Sequence, residues 1–473
     1  MSYQLGKDIH ANMNYFNQLF KVDKSFDILC RTFQTGGRLA CLYFINGFVD
    51  DTSLQRMLLK LETEIEEFPK NAKEYAEINI SYIEIDILKE EKAILKYLFS
   101  GISLIFIDGF DEVIAIDART YPARGVEEPE KDKVLRGSRD GFVETIVYNT
   151  ALIRRRIRSN DLVMKLMEVG ESSKTDVVVT YMDGRIDEKL LNRIISKLEN
   201  LKIDSLSMNQ ESLAESLYRG SWFNPFPKYK YSERPDTTAA CILEGSIVIL
   251  VDNSPASMII PSSLFDIIEG TDDYYFPPIT GTYLRLSRML ISLIALILTP
   301  TFLLFMDNPQ WIPKGFEFII VRDPMNLPLI WQFMILELAI DGLKLAAVNT
   351  PSMLSTPLSV VAAVIIGDFT VSSGWFNSEA MLYMAFVVLA NYTQVSFELG
   401  YALKFLRMIM LILTAIFGIW GYGVGIILVI VCVSFNKTVS GRSYLYPLIP
   451  FNAKNLLRRF FRVTLPNSKN QRV

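Results

Sequence analysis

Three ionisable residues interrupt one strongly apolar stretch of this sequence. Glu337, Asp341 and Lys344 lie within residues 326–348, which are otherwise mostly apolar. Spacings of four and three residues place the three side chains on one face of a helix. The stretch has the length of a membrane-spanning helix, roughly 20 residues, and a charge in hydrocarbon costs roughly 2.5–3.5 kcal/mol. We therefore expect the charged face to contact protein or water instead of lipid.

This charged face has two interpretations. Glu337 and Asp341 could attract cations to an ion path, with Lys344 as their partner or as a gate. Alternatively, the three residues form a buried ion-pair network that holds helices together, because residues three and four apart on a helix interact directly. Asp368 and Glu398, in other apolar segments, are secondary candidates for the ion path and could equally be structural or interfacial.

The composition divides the 473-residue chain into two regions. Residues before about 282 have a mixed, charged composition, whereas residues 285–435 are mostly apolar. This division predicts an α+β cytosolic domain made of two repeated α/β subdomains, followed by an α-helical polytopic membrane domain of about five to six helices. The predicted divisions are an N-terminal arm (1–27), α/β subdomain 1 (28–135), a bridging loop and helix (136–170), α/β subdomain 2 (171–282), a transmembrane domain (283–435) and a basic cytosolic tail (436–473).

The subdomains are predicted from an internal repeat. Residues 38–62 match residues 175–199 without a gap, and residues 101–110 match residues 245–254. The first match predicts a strand, a glycine-containing turn and an amphipathic helix with an aspartate as its N-cap. The second predicts a buried strand and a hairpin. The matching turn and cap positions are Asn46-Gly47 with Asp183-Gly184, and Asp50 with Asp187.

The residue inventory does not favour an enzyme. Asp108 and Asp252 follow predicted strands, where a catalytic carboxylate could lie, but turn and cap chemistry explains both of them. The single histidine is His10, and the four cysteines are far apart. Nucleophile–base pairs and metal-ligand spacings are therefore not recognised, and we predict no catalytic activity, no metal site and no cofactor.

Basic residues between the two copies are candidates for an oligomer or subdomain interface. They could bind acidic lipid, phosphate or carboxylates of a neighbouring subunit, or they could form a solvated face with local ion pairs. The loop lacks the Walker pattern of nucleotide-binding loops. After this loop, the pattern predicts a helix that continues to Glu168. The candidates are Arg136, Arg139, Arg154, Arg155, Arg156 and Arg158.

The apolar region predicts several membrane crossings. The apolar run that follows Lys404 and Arg407 ends near residue 435, which is too long for one ordinary helix and short for two. Its glycine-rich middle predicts two short, re-entrant helices that meet at a bend. Residues 436–473 contain eight Lys or Arg and no acidic residue, which predicts a cytosolic tail. The N-terminus has no secretory pattern, so both ends are expected in the cytosol. The other predicted spans are 284–305, 326–348, 354–375 and 379–399.

Several longer motifs resemble a known family. The runs Arg136-Gly-Ser-Arg-Asp-Gly-Phe-Val-Glu144, Ser232-Glu-Arg-Pro-Asp236 and Tyr283-x-Arg-x-x-Arg288 resemble the A subunits of GerA-type spore germinant receptors. Residues 340–351 and 447–454 are most similar to the stage V sporulation protein AF branch of that family. One departure is Ser138, where the family usually has proline.

The resemblance implies a function as well as a fold. It implies an integral protein of the inner spore membrane that associates with itself as a pentamer around an ion path, and with other germination membrane proteins. We expect no nucleic-acid partner, and the resemblance carries no germinant pocket to this chain. We therefore predict an oligomeric channel or channel subunit for release of monovalent cations during germination. The alternative is a non-conducting scaffold that assembles or supports germinant receptor complexes. A carrier is disfavoured because no repeat is found among the spans.

Overall fold

The structure is a computed structural model that describes residues 3–65, 68–81, 84–120, 133–134, 137–217, 224–321, 326–349 and 370–462. These residues form two compact units. The first is an α/β unit that ends at Pro261. The second is a helical unit that begins at Ser262 and also includes residues 224–228.

The α/β unit contains two copies of one element order, which is helix, strand, strand, helix, helix, strand, helix, strand, strand. The first copy comprises α1 (Ile9–Phe20), β1 (Ile28–Thr35), β2 (Arg38–Ile45), α2 (Asp51–Thr63), α3 (Ala72–Asn79), β3 (Ile85–Leu88), α4 (Glu91–Phe99), β4 (Ser103–Ile107) and β5 (Val113–Ile116). The second comprises α5 (Ile146–Arg156), β6 (Leu162–Val169), β7 (Thr175–Met182), α6 (Glu188–Glu199), α7 (Asn209–Leu217), β8 (Lys230–Ser232), α8 (Pro235–Leu243), β9 (Ile247–Val251) and β10 (Ser257–Ile260).

Each copy forms a five-stranded antiparallel sheet, with the order β1-β2-β4-β5-β3 in the first and β6-β7-β9-β10-β8 in the second. Successive side chains of a strand point to opposite faces. In β2, Cys41 and Tyr43 pack with residues of α1 and α4, whereas Ala40 and Leu42 pack with residues of α2 and α3. Both faces of this sheet are therefore covered by helices, and the predicted pair of repeated α/β subdomains is confirmed.

The predicted turns and caps are also confirmed. Gly47 and Gly184 have φ angles of 81° and 76°, which a residue with a side chain rarely adopts. Asp50 accepts hydrogen bonds from the amides of the first turn of α2, and Asp187 does the same for α6. The same local chemistry therefore begins the equivalent helix of each copy.

The repeat extends to the helices α1 and α5. Asp108 Oδ1 accepts a 3.1 Å hydrogen bond from the amide of Ile9, and Asp252 Oδ1 accepts a 3.1 Å hydrogen bond from the amide of Ile146. These aspartates cap the first turn of α1 and α5, as the cap interpretation proposed. Each copy therefore includes a helix that the sequence pattern had placed in the arm or in the bridge.

The predicted helix up to Glu168 is wrong. The helix α5 ends at Arg156, and Leu162–Val169 forms β6, which pairs with β7 along its whole length. Apolar residues at positions 162, 163, 166 and 167 have helical spacing, but pairing with β7 decides the conformation. The second sheet therefore begins inside the segment that was predicted as a bridge.

The helical unit contains seven helices among the described residues. Of these, α11 (Pro278–Asp307) and α14 (Phe397–Ser434) are long and apolar enough to cross a membrane, by length and composition. Short 3₁₀-helices follow α11 at Pro309–Trp311 and Glu317–Ile319, and one helical turn at Thr370–Ser372 precedes α13 (Ser378–Tyr392). The helices are α9 (Leu264–Ile268), α10 (Asp272–Tyr275), α11 (Pro278–Asp307), α12 (Leu329–Asn349), α13 (Ser378–Tyr392), α14 (Phe397–Ser434) and α15 (Ala453–Phe460).

Two predicted spans differ from the observed helices. The predicted helix 379–399 is interrupted, because α13 ends at Tyr392 and α14 begins at Phe397. The Ser396 side chain accepts a hydrogen bond from the amide of Leu399, so a serine N-cap starts the new helix. Most of the predicted span 354–375 lies outside the described residues.

The predicted bend in the last apolar segment is confirmed. Within α14, Gly418 has φ 59° and ψ −133°, so the segment consists of two helices joined at a corner. A Cβ atom on Gly421 would overlap the carbonyl oxygen of Leu413, and one on Gly425 would lie 2.7 Å from Met410 Cγ. Residues 419–434 therefore fold back against residues 397–417, and glycine permits the close approach.

Candidate functional site

The candidate site is the charged face of α12, which is held at its N-terminal end by α13. Gln332 is fully buried, and its Nε2 donates a 2.7 Å hydrogen bond to Asn377 Oδ1. The amide of Asn377 donates in return to Gln332 Oε1 at 2.9 Å. A buried amide that is satisfied in both directions fixes the orientation of α12. The charged residues begin one turn later on the same helix.

Glu337 is enclosed by cations from α14. Its side chain is 2% exposed, and Arg407 Nε donates a 2.8 Å hydrogen bond to its Oε1. Lys404 Nζ lies 3.4 Å from Glu337 Oε2 and donates a 3.0 Å hydrogen bond to the Glu337 carbonyl oxygen. Arg407 Nη1 also donates to the carbonyl oxygen of Ala295 at 3.1 Å. Two cationic groups thus join α12 to α14, and one of them also reaches α11.

Asp341 and Lys344 occupy the more accessible end of the face. Asp341 forms an ion pair with Lys404, but its side chain is 29% exposed. Its Oδ1 atom is buried and has no hydrogen-bond partner among the described residues. Lys344 Nζ lies 5.6 Å from the ring centre of Tyr392 and 5.5 Å from that of Tyr401, within cation–π range.

The charged face of α12 contains carboxylates that are paired to different extents. Two carboxylates, on Glu337 and Asp341, lie close to the cations Lys404, Arg407 and Lys344. A buried ion pair is stable only when its remaining hydrogen-bonding groups are satisfied. Both carboxylate oxygens of Glu337 lie close to cationic groups, whereas Asp341 Oδ1 is buried and has no hydrogen-bond partner among the described residues.

The sequence of the chain identifies its family. Residues 14–473 match the family model described as Bacillus/Clostridium GerA spore germination protein. The chain belongs to the GerA family. The resemblance seen in its motifs is thereby confirmed.

The chain is similar to sporulation and germination proteins of Bacillus subtilis (strain 168). Stage V sporulation protein AF of Bacillus subtilis (strain 168) is 34% identical over 461 residues, which are 97% of this chain and 93% of that protein. Spore germination protein KA of the same organism is 28% identical over 453 residues, which are 94% of this chain and 82% of that protein. The crystal structure of the N-terminal domain of the A subunit of the Bacillus megaterium spore germinant receptor GerK3 covers 55% of this chain and 96% of that chain, with 28% identity and a TM-score of 0.43.

The secondary ion-path candidates of this GerA-family chain are Asp368 and Glu398. Asp368 lies outside the described residues. Glu398 is exposed in the first turn of α14, where a carboxylate interacts favourably with the helix dipole.

The structure places the arginine candidates in different environments. Arg154 is 0% exposed, and it binds Asp27 through Nε at 2.7 Å and Nη2 at 3.0 Å. Asp27 precedes β1 and Arg154 lies on α5, so this pair joins the two copies. Arg156 pairs with Asp140 at 2.5 Å. Arg139, Arg155 and Arg158 are exposed, and Arg136 lies outside the described residues.

Sequence reasoning missed the partners of the charged face and a second ion network. In the sequence, Lys404 and Arg407 only precede an apolar run, and nothing local identifies them as partners of α12. The second network lies at the start of α11, where Arg285 Nη2 is 2.5 Å from Glu269 Oε1 and Arg288 Nη1 is 3.1 Å from Asp273 Oδ2. The signal for it was present, because both arginines belong to the motif Tyr283-x-Arg-x-x-Arg288.

Proposed function

We propose that this GerA-family protein is an integral membrane component of the spore germination machinery that associates with itself and conducts monovalent cations. The observation that carries the proposal is the partly accessible carboxylate of Asp341 in the apolar helical unit, next to Lys344. Rings of charged side chains, one from each subunit, are a common way to select ions in channels.

The geometry supports different roles for the charged residues of α12. Glu337 is already neutralised by Arg407 and Lys404, so its role in the proposal is to hold α12 against α14. Asp341 and Lys344, one and two turns later, are the groups that would border water. We therefore assign the principal carboxylate of the predicted ion path to Asp341 and not to Glu337.

The exposed side chains of α12 support self-association. Leu338 and Leu345 are 74% and 63% exposed in the isolated chain, although both are large and apolar. Such side chains are stable against lipid or against another copy of a helix, and not in water. Several copies placed around one axis would cover part of this surface and bring equivalent Asp341 side chains together.

The proposed location is the inner spore membrane, with the α/β unit and the basic tail in the cytosol. Two helices of suitable length and composition support a membrane location. Eight basic residues and no acidic residue within 436–473 support a cytosolic tail through the positive-inside rule. The names of the relatives, which are sporulation and germination proteins, support the spore.

Cation flux through the purified full-length protein in liposomes tests the proposal. We expect potassium and sodium flux from the wild type, and a several-fold change in flux or in cation-over-anion selectivity from Asp341→Asn. The matched control is Glu317→Gln, which removes an exposed carboxylate from a 3₁₀-helix and should leave flux unchanged. Absence of flux from a well-folded wild-type oligomer would contradict conduction.

The second candidate is a non-conducting scaffold that assembles or supports germinant receptor complexes. The ion pairing of Glu337 favours it, because that pairing uses the most buried charge of α12 for helix packing. A scaffold predicts no flux in liposomes, together with co-purification of other germination membrane proteins from spores. Substitution of the exposed Arg155 and Arg158 would then reduce this co-purification, while Asp341→Asn would not.

A further inference from the structure

The helix α15 has one face that is bound to the helical unit. Arg459 Nη2 lies 2.6 Å from Asp266 Oδ1, and Arg459 Nη1 donates a 3.0 Å hydrogen bond to Glu269 Oε2. The ring centre of Phe460 lies 6.0 Å from that of Phe265. Ion pairs and aromatic packing therefore hold this face of α15 against α9 and the residue that follows it.

Arg285 fixes α15 beside the beginning of α11. Its Nη1 donates hydrogen bonds to the carbonyl oxygens of Arg458 and Arg459 at 3.2 and 3.1 Å, which satisfies two groups that a helix end leaves without intrahelical partners. The amide of Arg462 donates a 3.1 Å hydrogen bond to Thr282 Oγ1. The helix α15 thus lies next to the first turns of a candidate membrane span, where the apolar sequence starts.

The opposite face of α15 combines positive charge with large apolar side chains. Lys454, Leu457, Arg458 and Phe461 follow the spacing i, i+3, i+4, i+7 and share this face. Lys454 is exposed, and Leu457 and Phe461 are 58% and 52% exposed. Apolar side chains flanked by cations are typical of helices that lie in a membrane interface.

Aromatic residues mark the same level of the helical unit. Tyr283 directly follows Thr282, which binds the Arg462 amide, and its side chain is exposed. Tyr274, whose carbonyl oxygen accepts a 2.6 Å hydrogen bond from Arg462 Nη2, is also exposed. Tyrosines are enriched where a membrane protein crosses from hydrocarbon into water, so their exposure here supports a bilayer surface at this level.

We propose that this face of α15 lies on the bilayer and binds the headgroup of an anionic phospholipid. Lys454 contacts the lipid phosphate, and Leu457 and Phe461 enter the region of the first acyl carbons. The inference rests on the membrane location in the proposed function. Charge complementarity identifies the lipid as anionic, because residues 436–473 contain eight basic and no acidic residues.

Lipid retention by the purified full-length protein tests this inference. The detergent-solubilised protein is titrated with phosphatidylglycerol or phosphatidylcholine, and native mass spectrometry counts the lipids retained by each chain. We expect the wild type to prefer phosphatidylglycerol. Lys454→Gln should reduce that preference roughly fivefold, the usual effect of one cation near an anionic surface. Lys314→Gln, which removes an exposed lysine between α11 and α12, is the matched control and should retain the preference.

A second variant separates the apolar contribution from the charge. Leu457→Gln should reduce retention of both lipids, because it removes the side chain that contacts acyl carbon. Equal retention of both lipids by the wild type, or equal behaviour of Lys454→Gln and Lys314→Gln, would overturn the inference. Complete displacement of phosphatidylglycerol by soluble glycerol phosphate would overturn it as well, because the acyl chains would then contribute nothing to binding.

The experiments distinguish a failure of the lipid site from a failure of cation conduction. Preserved lipid preference without cation flux contradicts conduction alone. Normal cation flux without lipid preference contradicts the lipid site alone.

Discussion

Glu337 and Arg407 form a buried ion pair, although they are separated by 70 positions in the chain. The same guanidinium donates a hydrogen bond to the carbonyl oxygen of Ala295, so Arg407 joins three helices. The buried carboxylate of Glu337 is stable because it is paired with Arg407, and the buried guanidinium of Arg407 is stable for the same reason. We infer that the innermost charge of α12 organises the helical unit, whereas Asp341 and Lys344 remain available for contact with water.

Removal of the Glu337 carboxylate should destabilise the helical unit. Glu337→Gln leaves Arg407 buried beside a neutral group, which typically costs about 3–5 kcal/mol. The free energy of unfolding of the full chain in detergent, followed by circular dichroism, measures this loss. Glu317→Gln, at an exposed carboxylate, should change it by less than about 0.5 kcal/mol. The double variant Glu337→Leu/Arg407→Met should recover most of the stability, and a loss as large as that of the single variant would contradict the ion-pair account.

The close approach within α14 should depend on Gly421. Gly421→Ala places a Cβ atom on the carbonyl oxygen of Leu413, so the two halves of α14 must separate. We expect a lower unfolding temperature and altered oligomer size in detergent. Gly423→Ala is the matched control, since a Cβ atom there meets nothing within 4 Å among the described residues. Similar behaviour of the two variants would show that the corner does not need close packing.

The contact between the two α/β copies should depend on Arg154. Arg154→Met leaves Asp27 buried without its partner, and we expect the free energy of unfolding to fall by about 3–5 kcal/mol. Arg158→Met, two residues beyond α5, removes an exposed arginine and should change stability by less than about 0.5 kcal/mol. Limited proteolysis of the full-length protein should show faster cleavage in the α/β unit for Arg154→Met alone. Equal cleavage of both variants would contradict a special role for the buried pair.

The turn residue Asp183 predicts a dependence of stability on pH. A hydrogen bond of 2.7 Å from the Lys21 ammonium group lowers the pKa of Asp183 from its ordinary value of 3.8. Because the folded-state pKa is the lower one, the pair stabilises the fold above the unfolded-state pKa, and this stabilisation is lost as pH falls through the folded-state pKa. Asp183→Asn should therefore give a shallower decline of the unfolding temperature in acid. Lys21→Gln should do the same, whereas Lys202→Gln, at an exposed lysine, should keep the wild-type slope.

Local chemistry explains which features of the fold were predictable. Gly47 and Gly184 take a backbone conformation that glycine favours, and Asp50 and Asp187 cap the helices that follow, so short segments of sequence encode these turns. The spacing of Glu337, Asp341 and Lys344 likewise follows from one helix. These features need no knowledge of distant contacts.

Features that depend on distant partners were not predictable. The segment Leu162–Val169 has helical spacing of its apolar residues, and only its pairing with β7 makes it a strand. Arg407 and Lys404 are far from α12 in sequence, and the packing of α14 against α12 selects them as partners of Glu337. The residues that hold the candidate site together were therefore the ones that a single sequence leaves undetermined.

The corner at Gly418 determines which side of a membrane each end of α14 would face. Since residues 419–434 return along residues 397–417, we expect the two ends of α14 to face the same side of the membrane in the proposed location. Cysteines introduced at exposed Thr393 and Lys437 should therefore react with an impermeant maleimide from the same side of sealed vesicles. The long apolar segment would then contribute no net change of side, and the number of complete crossings would be set by the helices that precede it.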